Sequence, residues 1–337
     1  MINEGILTLA AKQDLTFETA EAIMDEIMTG KASAVKISAY LTALSLKGAT
    51  VAEITASAAG MRKHCIRLLH NVDALEIVGT GGDYSNTFNI STAASIIAAA
   101  AGAKVAKHGN RSATSKCGSA DVLEALGVNI SIPPEQSAEG LDKIGICFLF
   151  AQNYHIAMKH VAPIRKELPI RTIFNILGPL TNPAGATMEL MGVYDKELVE
   201  PLAQVLFNLG VKNAMVVHGE DGLDEISLCA PTFVCEVRNG GLRSYTITPQ
   251  EFGFTPCTKV DLQGGTPKEN AEILNAVFQG EKGAKRNAAV LNAAAALYVT
   301  GKYETIEDAV KTVENVIDSG KAAKKLEEFI QWTSCRK

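Results

Sequence analysis

The stretch Leu75-Glu76-Ile77-Val78-Gly79-Thr80-Gly81-Gly82-Asp83 sets the fold. A short apolar run, residues 75–78, stops at a glycine cluster, and Asn89-Ile90-Ser91-Thr92 follows at the expected start of a helix. An apolar run of this length bounded by turn residues reads as a strand covered on both faces, and such strands belong in parallel sheets. Glycines after the strand let backbone N–H groups approach an anion, and a helix N-terminus adds unpaired donors and the positive end of its dipole. The spacing fits neither the dinucleotide fingerprint G-x-G-x-x-G nor the Walker A pattern, which disfavours NAD and ordinary P-loop nucleotides. Taken alone, the segment reads equally as a tight turn with Ser91 and Thr92 as helix caps.

Outward from this segment the period supports an α/β domain. Apolar runs at residues 104–106, 147–150, 188–193 and 214–217 alternate with amphipathic or alanine-rich helical stretches, the pattern of a mainly parallel central sheet with helices on both faces. Residues 233–237 and 242–247, separated by Arg238-Asn239-Gly240-Gly241, read as an antiparallel hairpin. Before about Asp73 the text is helical only. Phe17, Ala20, Ile23, Met24, Ile27 and Met28 keep helical spacing, Gly30 and Gly48 mark stops, and Thr50 with Glu53 forms a capping-box signature. A small helical domain therefore precedes a larger α/β domain. The alanine-rich run 288–296 reads as a closely packed core helix.

Composition bounds the partners. The chain has 337 residues, 47% hydrophobic and 20% charged, enough to bury a core and spare a cleft. Its 32 Lys and Arg against 37 Asp and Glu leave a net charge of -5, which gives no general attraction to nucleic acid. Seven cysteines without a C-x-x-C pair read as reduced thiols in a cytoplasmic protein, with no zinc expected. Neither a secretion signal nor a membrane-spanning segment is expected from the apolar patterning.

Three more segments carry chemistry. Residues 105–126 run VAKHGNRSATSKCGSADVLEAL: an apolar strand delivers Lys107, His108, Gly109, Asn110 and Arg111, then small hydroxylated residues lead into a helix. Cations and hydroxyl donors at a strand's carboxyl end suit a phosphorylated ligand in an open α/β sheet. Residues 215–227 place Asp224 and Glu225 beyond another strand, as hard oxygen ligands suited to Mg²⁺ bridging carboxylates and phosphates; Asp221 reads as a surface residue. In residues 154–183, Arg165 is a candidate fork for a carboxylate substrate. Lys166 and Arg171 read as salt-bridging residues on a helix face, and the Gly178-Pro179 and Asn182-Pro183 pairs as turns.

Taken together, Gly79 to Asp83, Asn89 to Thr92, Lys107 to Leu126, His160 to Leu168, Arg171 to Pro183 and His218 to Ser227, in this order and spacing, resemble the anthranilate phosphoribosyltransferase family of tryptophan biosynthesis, over nearly the whole chain. The resemblance implies transfer of the phosphoribosyl group from 5-phosphoribosyl diphosphate (PRPP) to the amine of anthranilate, with Mg²⁺, by a homodimer. It implies a helical domain over residues 1–72, completed by a helical insertion around 164–186, and an α/β domain over 73–163 and 187–337. By matching position, Gly79, Gly82, Asp83, Thr87, Asn89, Ile90, Ser91, Thr92, Lys107, His108, Gly109, Asn110, Arg111, Ser112, Ala113, Thr114, Ser115 and Ser119 would contact PRPP. Gly79, Asn110 and Arg165 would receive anthranilate, and Ser91, Asp224 and Glu225 would hold the metal. No residue is implied as a general base. Association with a glutamine amidotransferase is left open.

The sequence departs from the family's text at Cys117, where serine is usual in an SKSGS-like run, and at Gln152 and Ile156, where prolines are common. Two other readings carry different expectations. A pyrimidine nucleoside phosphorylase-like enzyme would bind phosphate and has no use for the Asp224-Glu225 pair. A non-catalytic nucleic-acid-binding relative of the fold conflicts with the net charge and with the retention of Asn110, Arg165 and the acidic pair.

Overall fold

Capping chemistry opens the helical part. In a computed structural model, which describes residues 1–112 and 115–334, Thr16 accepts from the Thr19 N–H at the start of Phe17–Met28, and Thr50 accepts from Glu53 N–H at the start of Val51–Lys63. The Glu53 carboxylate answers the Thr50 N–H at 2.7 Å, completing the expected capping box, and also receives Leu15 N–H and Lys47 Nζ, each at 2.9 Å. This fully buried carboxylate thus ties three parts of the helical bundle together.

Seven strands follow: β1 Leu75–Gly79, β2 Val105–Gly109, β3 Ile146–Phe150, β4 Met188–Gly192, β5 Asn213–Gly219, β6 Thr232–Arg238 and β7 Gly241–Ile247. They form one sheet in the order β3-β2-β1-β4-β5-β6-β7, parallel from β3 to β5 and antiparallel across β6 and β7. The apolar runs and the Asn-Gly-Gly hairpin are therefore where the sequence puts them. β2 continues past residue 106, because its pairing with β3 runs on through Gly109 opposite Phe150. Lys107 and His108 consequently lie inside the sheet rather than beyond it.

Each face of the sheet has its own apolar core. One packs against Ile90–Ala100, Ala284–Val299 and the C-terminal helices, with the alanines of residues 288–296 fully buried. On the other side lie the N-terminal helices, residues 161–180 and Val199–Asn208. Between β3 and β4 lie the short helices Ala162–Glu167 and Phe174–Leu177.

The strand order grows outward in both directions from β1 and β4, so the crevice beyond their carboxyl ends is the sheet's topological switch point. Both strands end in glycine, with Gly79 opposite Gly192 in the register. Among the described residues, no helix is long and apolar enough to cross a membrane.

Candidate active site

Beyond those paired glycines lies the Asp224-Glu225 segment. A Cβ on Gly192 would come within 3.1 Å of Glu225 N and would collide with the Asp224 carbonyl, so the close crossing requires glycine at this strand end. Gly81 and Gly82 turn the chain with φ of +69° and +79°, values that favour glycine, and the Gly81 N–H donates to Asp224 Oδ2 at 2.7 Å. Tyr84 and Asn86 continue the turn with φ of +56° and +51°. Two non-glycine residues in the left-handed region mark a loop whose shape is imposed by its surroundings.

Charge is concentrated at the same point. Glu225 Oε1 accepts from Ser91 N–H at 3.1 Å, at the first turn of Ile90–Ala100, while Lys107 Nζ donates to Ile77 O at 2.7 Å and to Ser91 Oγ at 3.3 Å. Lys107, Asp224 and Glu225 are all buried. Burial pushes the Glu225 carboxyl up to about 7 against the pull of Lys107, and burial with Asp83 and Glu225 nearby pushes Asp224 well above the usual carboxylate range. Burial lowers Lys107, with Glu76 and Glu225 opposing it.

Asp83, Asp224 and Glu225 repel one another here, and Lys107 acts on Glu225 and Glu76, which leaves room for a further cation. Among the described residues no three His, Cys, Asp or Glu side chains converge into a protein-only metal cage. Mg²⁺ generally takes one or two carboxylates and fills its remaining positions with water and ligand phosphate, so the Asp224-Glu225 pair and the adjacent Ser91 fit it.

The segment after β2 is folded around Asp121. Its Oδ2 accepts from Ser112 N–H at 3.0 Å and Gly118 N–H at 2.9 Å, and its Oδ1 from Arg111 Nη1 at 3.0 Å. Burial raises the Asp121 carboxyl, but these donors outweigh it and hold the group below its ordinary value. Arg111 also pairs with Glu124, so its guanidinium is engaged with carboxylates, and the residue lines the cleft. Asn89 Nδ2 donates to the Cys117 carbonyl, joining this segment to the start of Ile90–Ala100. Cys117 acts there through its backbone, and burial pushes its thiol up. Ala113 and Thr114 lie outside the described residues.

Opposite stand Arg165 and Phe174 of the short helices between β3 and β4, with the guanidinium 5.7 Å from the ring centroid. Arg165 is partly buried, its pKa is lowered by burial, and among the described residues it pairs with no carboxylate. His108 and His155 pack ring to ring at 5.1 Å; burial pushes them down to about 3 and about 4. Arg171 differs from expectation. It lies between the two short helices rather than on a helix face, and its Nη2 donates to Gly82 O at 2.7 Å.

All these strands and loops enclose a cleft of about 380 Å³. Every described residue carried over from the sequence for PRPP, anthranilate or metal lines it, from Gly79 through Ser119 to Arg165, Asp224 and Glu225. A 337-residue chain thus brings together groups as far apart in sequence as Gly79 and Glu225, 146 positions.

Comparison with known proteins agrees with this geometry. Residues 71–323 match the glycosyl transferase family, a/b domain, and residues 4–65 match the glycosyl transferase family, helical bundle domain. Anthranilate phosphoribosyltransferase of Methanobrevibacter smithii is 62% identical over 99% of this chain and 100% of its own length.

The chain belongs to the anthranilate phosphoribosyltransferase family.

Two solved anthranilate phosphoribosyltransferases share its architecture. The Thermus thermophilus enzyme superposes with a TM-score of 0.93 at 42% identity, covering 98% of this chain and 99% of that one. The Saccharomyces cerevisiae enzyme, in complex with PRPP and Mg, gives 0.92 at 28% identity, covering 99% and 98%. Phe174, Asn175, Gly178 and Pro179, within the Arg171 to Pro183 segment, also line the cleft, although the sequence assigns them no site role. Gly178-Pro179 reads from the sequence as a turn within a segment that carries the family resemblance; its proximity to Arg165 is the signal that could have marked it as part of the site.

Proposed function

We propose that this chain transfers the 5-phosphoribosyl group of PRPP to the amine of anthranilate, forming N-(5-phosphoribosyl)anthranilate and diphosphate. The observation that carries this reading is a single cleft with a glycine loop and acidic pair on one wall and, on the other, an Arg165 that pairs with no carboxylate among the described residues. One wall suits a metal-bridged diphosphate; the other suits a carboxylate.

Residues 79–83 and the start of Ile90–Ala100 would receive phosphate oxygens through backbone N–H groups, with Thr87, Ser115 and Ser119 adding hydroxyl donors. Asp224, Glu225 and Ser91 would hold Mg²⁺, which when bound neutralises charge developing on the leaving diphosphate. Lys107 would orient Ser91 and offset the buried carboxylates. Arg165 would hold the anthranilate carboxylate in two parallel hydrogen bonds, with Gly79 and Asn110 beside it. The aryl amine is neutral at pH 7, so its attack depends on placement more than on removing a proton.

The helical part, residues 1–72 with the insertion at 164–186, would act as the body carrying Arg165 toward the α/β domain on closure. Its exposed face supports a homodimer. Val35 and Leu46 are 79% and 82% exposed and lie three turns apart on Ala34–Lys47, and Leu7 on the neighbouring helix Ile2–Ala10 is 72% exposed. A cytoplasmic location accords with free cysteines throughout the described residues.

The test is stoichiometry. Purified protein with Mg²⁺, PRPP and anthranilate should release one diphosphate per anthranilate consumed; consumption of PRPP independent of anthranilate would refute the assignment.

A further inference from the structure

Arg171 sits where the insertion meets the glycine loop, and its contacts are unlike those of a surface salt bridge. Among the described residues it pairs with no carboxylate. Its guanidinium lies 3.7 Å from the ring centroid of Tyr194, immediately after β4, and 5.9 Å from that of Tyr84. One donor reaches Gly82 O at 2.7 Å. The platform is itself tied to the loop, since Tyr194 N–H donates to Thr80 Oγ1 at 3.2 Å. From the insertion side, Ser45 Oγ of the helical part donates to the Arg171 carbonyl at 2.9 Å, and Thr172 N–H is fixed by Asn175 Oδ1 at 2.8 Å.

We infer that Arg171 is a positioning residue for the donor substrate: by gripping the Gly82 carbonyl it sets the glycine loop in its phosphate-receiving form. The physical reason lies in the peptide plane. In a trans peptide the C=O and the following N–H point in opposite directions, and the chain contains no cis bond among the described residues. Drawing the Gly82 carbonyl outward to Arg171 therefore turns the Asp83 N–H inward, and Asp83 lines the cleft whereas Arg171 does not. At Gly82, with φ of +79°, the flanking peptides turn easily, so an external grip is needed to select one orientation. The same loop is held on its other side by Gly81 N–H on Asp224. The loop is thus fixed between the acidic pair and Arg171. A lysine could reach the carbonyl but would lack the planar fork that Arg171 places over the Tyr194 ring.

This inference rests on the phosphoribosyl transfer proposed above, and the experiment separates the two. Wild type, Arg171→Lys and Arg171→Ala would be compared by steady-state kinetics, by calorimetric titration with Mg²⁺ and PRPP in the absence of anthranilate, and by Tm. Absence of turnover and of PRPP binding in wild type would defeat the functional reading itself. With wild type active, Arg171→Ala should raise the PRPP KM and Kd together by roughly tenfold, with the anthranilate KM at saturating PRPP changed less than about twofold, and Arg171→Lys should fall between. PRPP KM and Kd within about twofold of wild type in both variants would overturn the inference. So would a parallel rise in both substrates' KM accompanied by a large fall in Tm, the signature of a merely structural residue. If Arg171→Ala fails to fold, the same thresholds applied to Arg171→Lys decide.

Discussion

Asp224 packs onto Gly79 through the space a side chain would fill: a Cβ on Gly79 would lie 2.9 Å from Asp224 Cγ and 3.1 Å from its carbonyl oxygen. With Gly192 making the same allowance on β4, two strand-end glycines let the acidic segment cross directly over the switch point. Alanine at Gly192 meets backbone rather than a movable side-chain end, so the segment must shift. Gly192→Ala should cost about 1–3 kcal/mol of stability and lower kcat/KM more than tenfold. Thermal unfolding beside a turnover assay checks this; full activity would show that Asp224 and Glu225 need not sit where they do.

The two walls of the cleft should separate kinetically. Arg165→Ala should raise the anthranilate KM by roughly ten- to a hundredfold and leave the PRPP KM nearly unchanged, since it removes one charge-assisted fork. Asp224→Asn with Glu225→Gln should do the reverse, weakening PRPP use and moving the Mg²⁺ dependence to higher concentration. Equal effects of both changes on both substrates would rule out distinct subsites.

Much of this arrangement is legible in the sequence, because strand ends, turn glycines and a capping box are local signals. Thr50 and Glu53 are three residues apart, and the Asn-Gly-Gly turn directly joins its two strands. Contacts made across the fold are a different matter. Asn182 Nδ2 donates to Glu76 across 106 residues, and Arg171 reaches Gly82 across 89. No periodicity links such pairs, so Arg171 reads as an ordinary helix-face cation until the sheet brings the glycine loop beside it. Asp121 is intermediate: its acceptor role spans only 9 residues, but it looks like any acid in the first turn of a helix.

Asp121→Ala should loosen the backbone at Ser112 and Gly118 by leaving their N–H groups without an acceptor. A several-fold rise in the PRPP KM is expected, with smaller change toward anthranilate. Asp121→Asn, which keeps one acceptor oxygen, should lie nearer wild type. A PRPP KM unaffected by Asp121→Ala would mean that the segment's shape is set elsewhere.

A buried carboxyl outside the cleft gives a pH-dependent prediction. Glu189 on β4 faces Glu76 across the strand pair, is 1% exposed, and its Oε1 has no hydrogen-bond partner among the described residues. Burial first, and then Glu76, push its carboxyl well above the ordinary 4.5, with Arg62 opposing. A raised folded-state value means that the unfolded chain releases its proton first, so the stability present below about pH 4.5 is lost as pH rises toward the folded value. Glu189→Gln, which mimics the protonated form, should therefore raise Tm by a few degrees at pH 8 and by much less at pH 4.5. Calorimetry at the two pH values checks it; equal shifts at both would remove Glu189 as the titrating group.

The most direct measurement follows anthranilate fluorescence in a mixture of the purified chain, Mg²⁺, PRPP and anthranilate. Phosphoribosyl transfer predicts a fall in fluorescence that requires all four components and stops on chelation of the metal. Unchanged fluorescence with folded protein that still binds PRPP would contradict it.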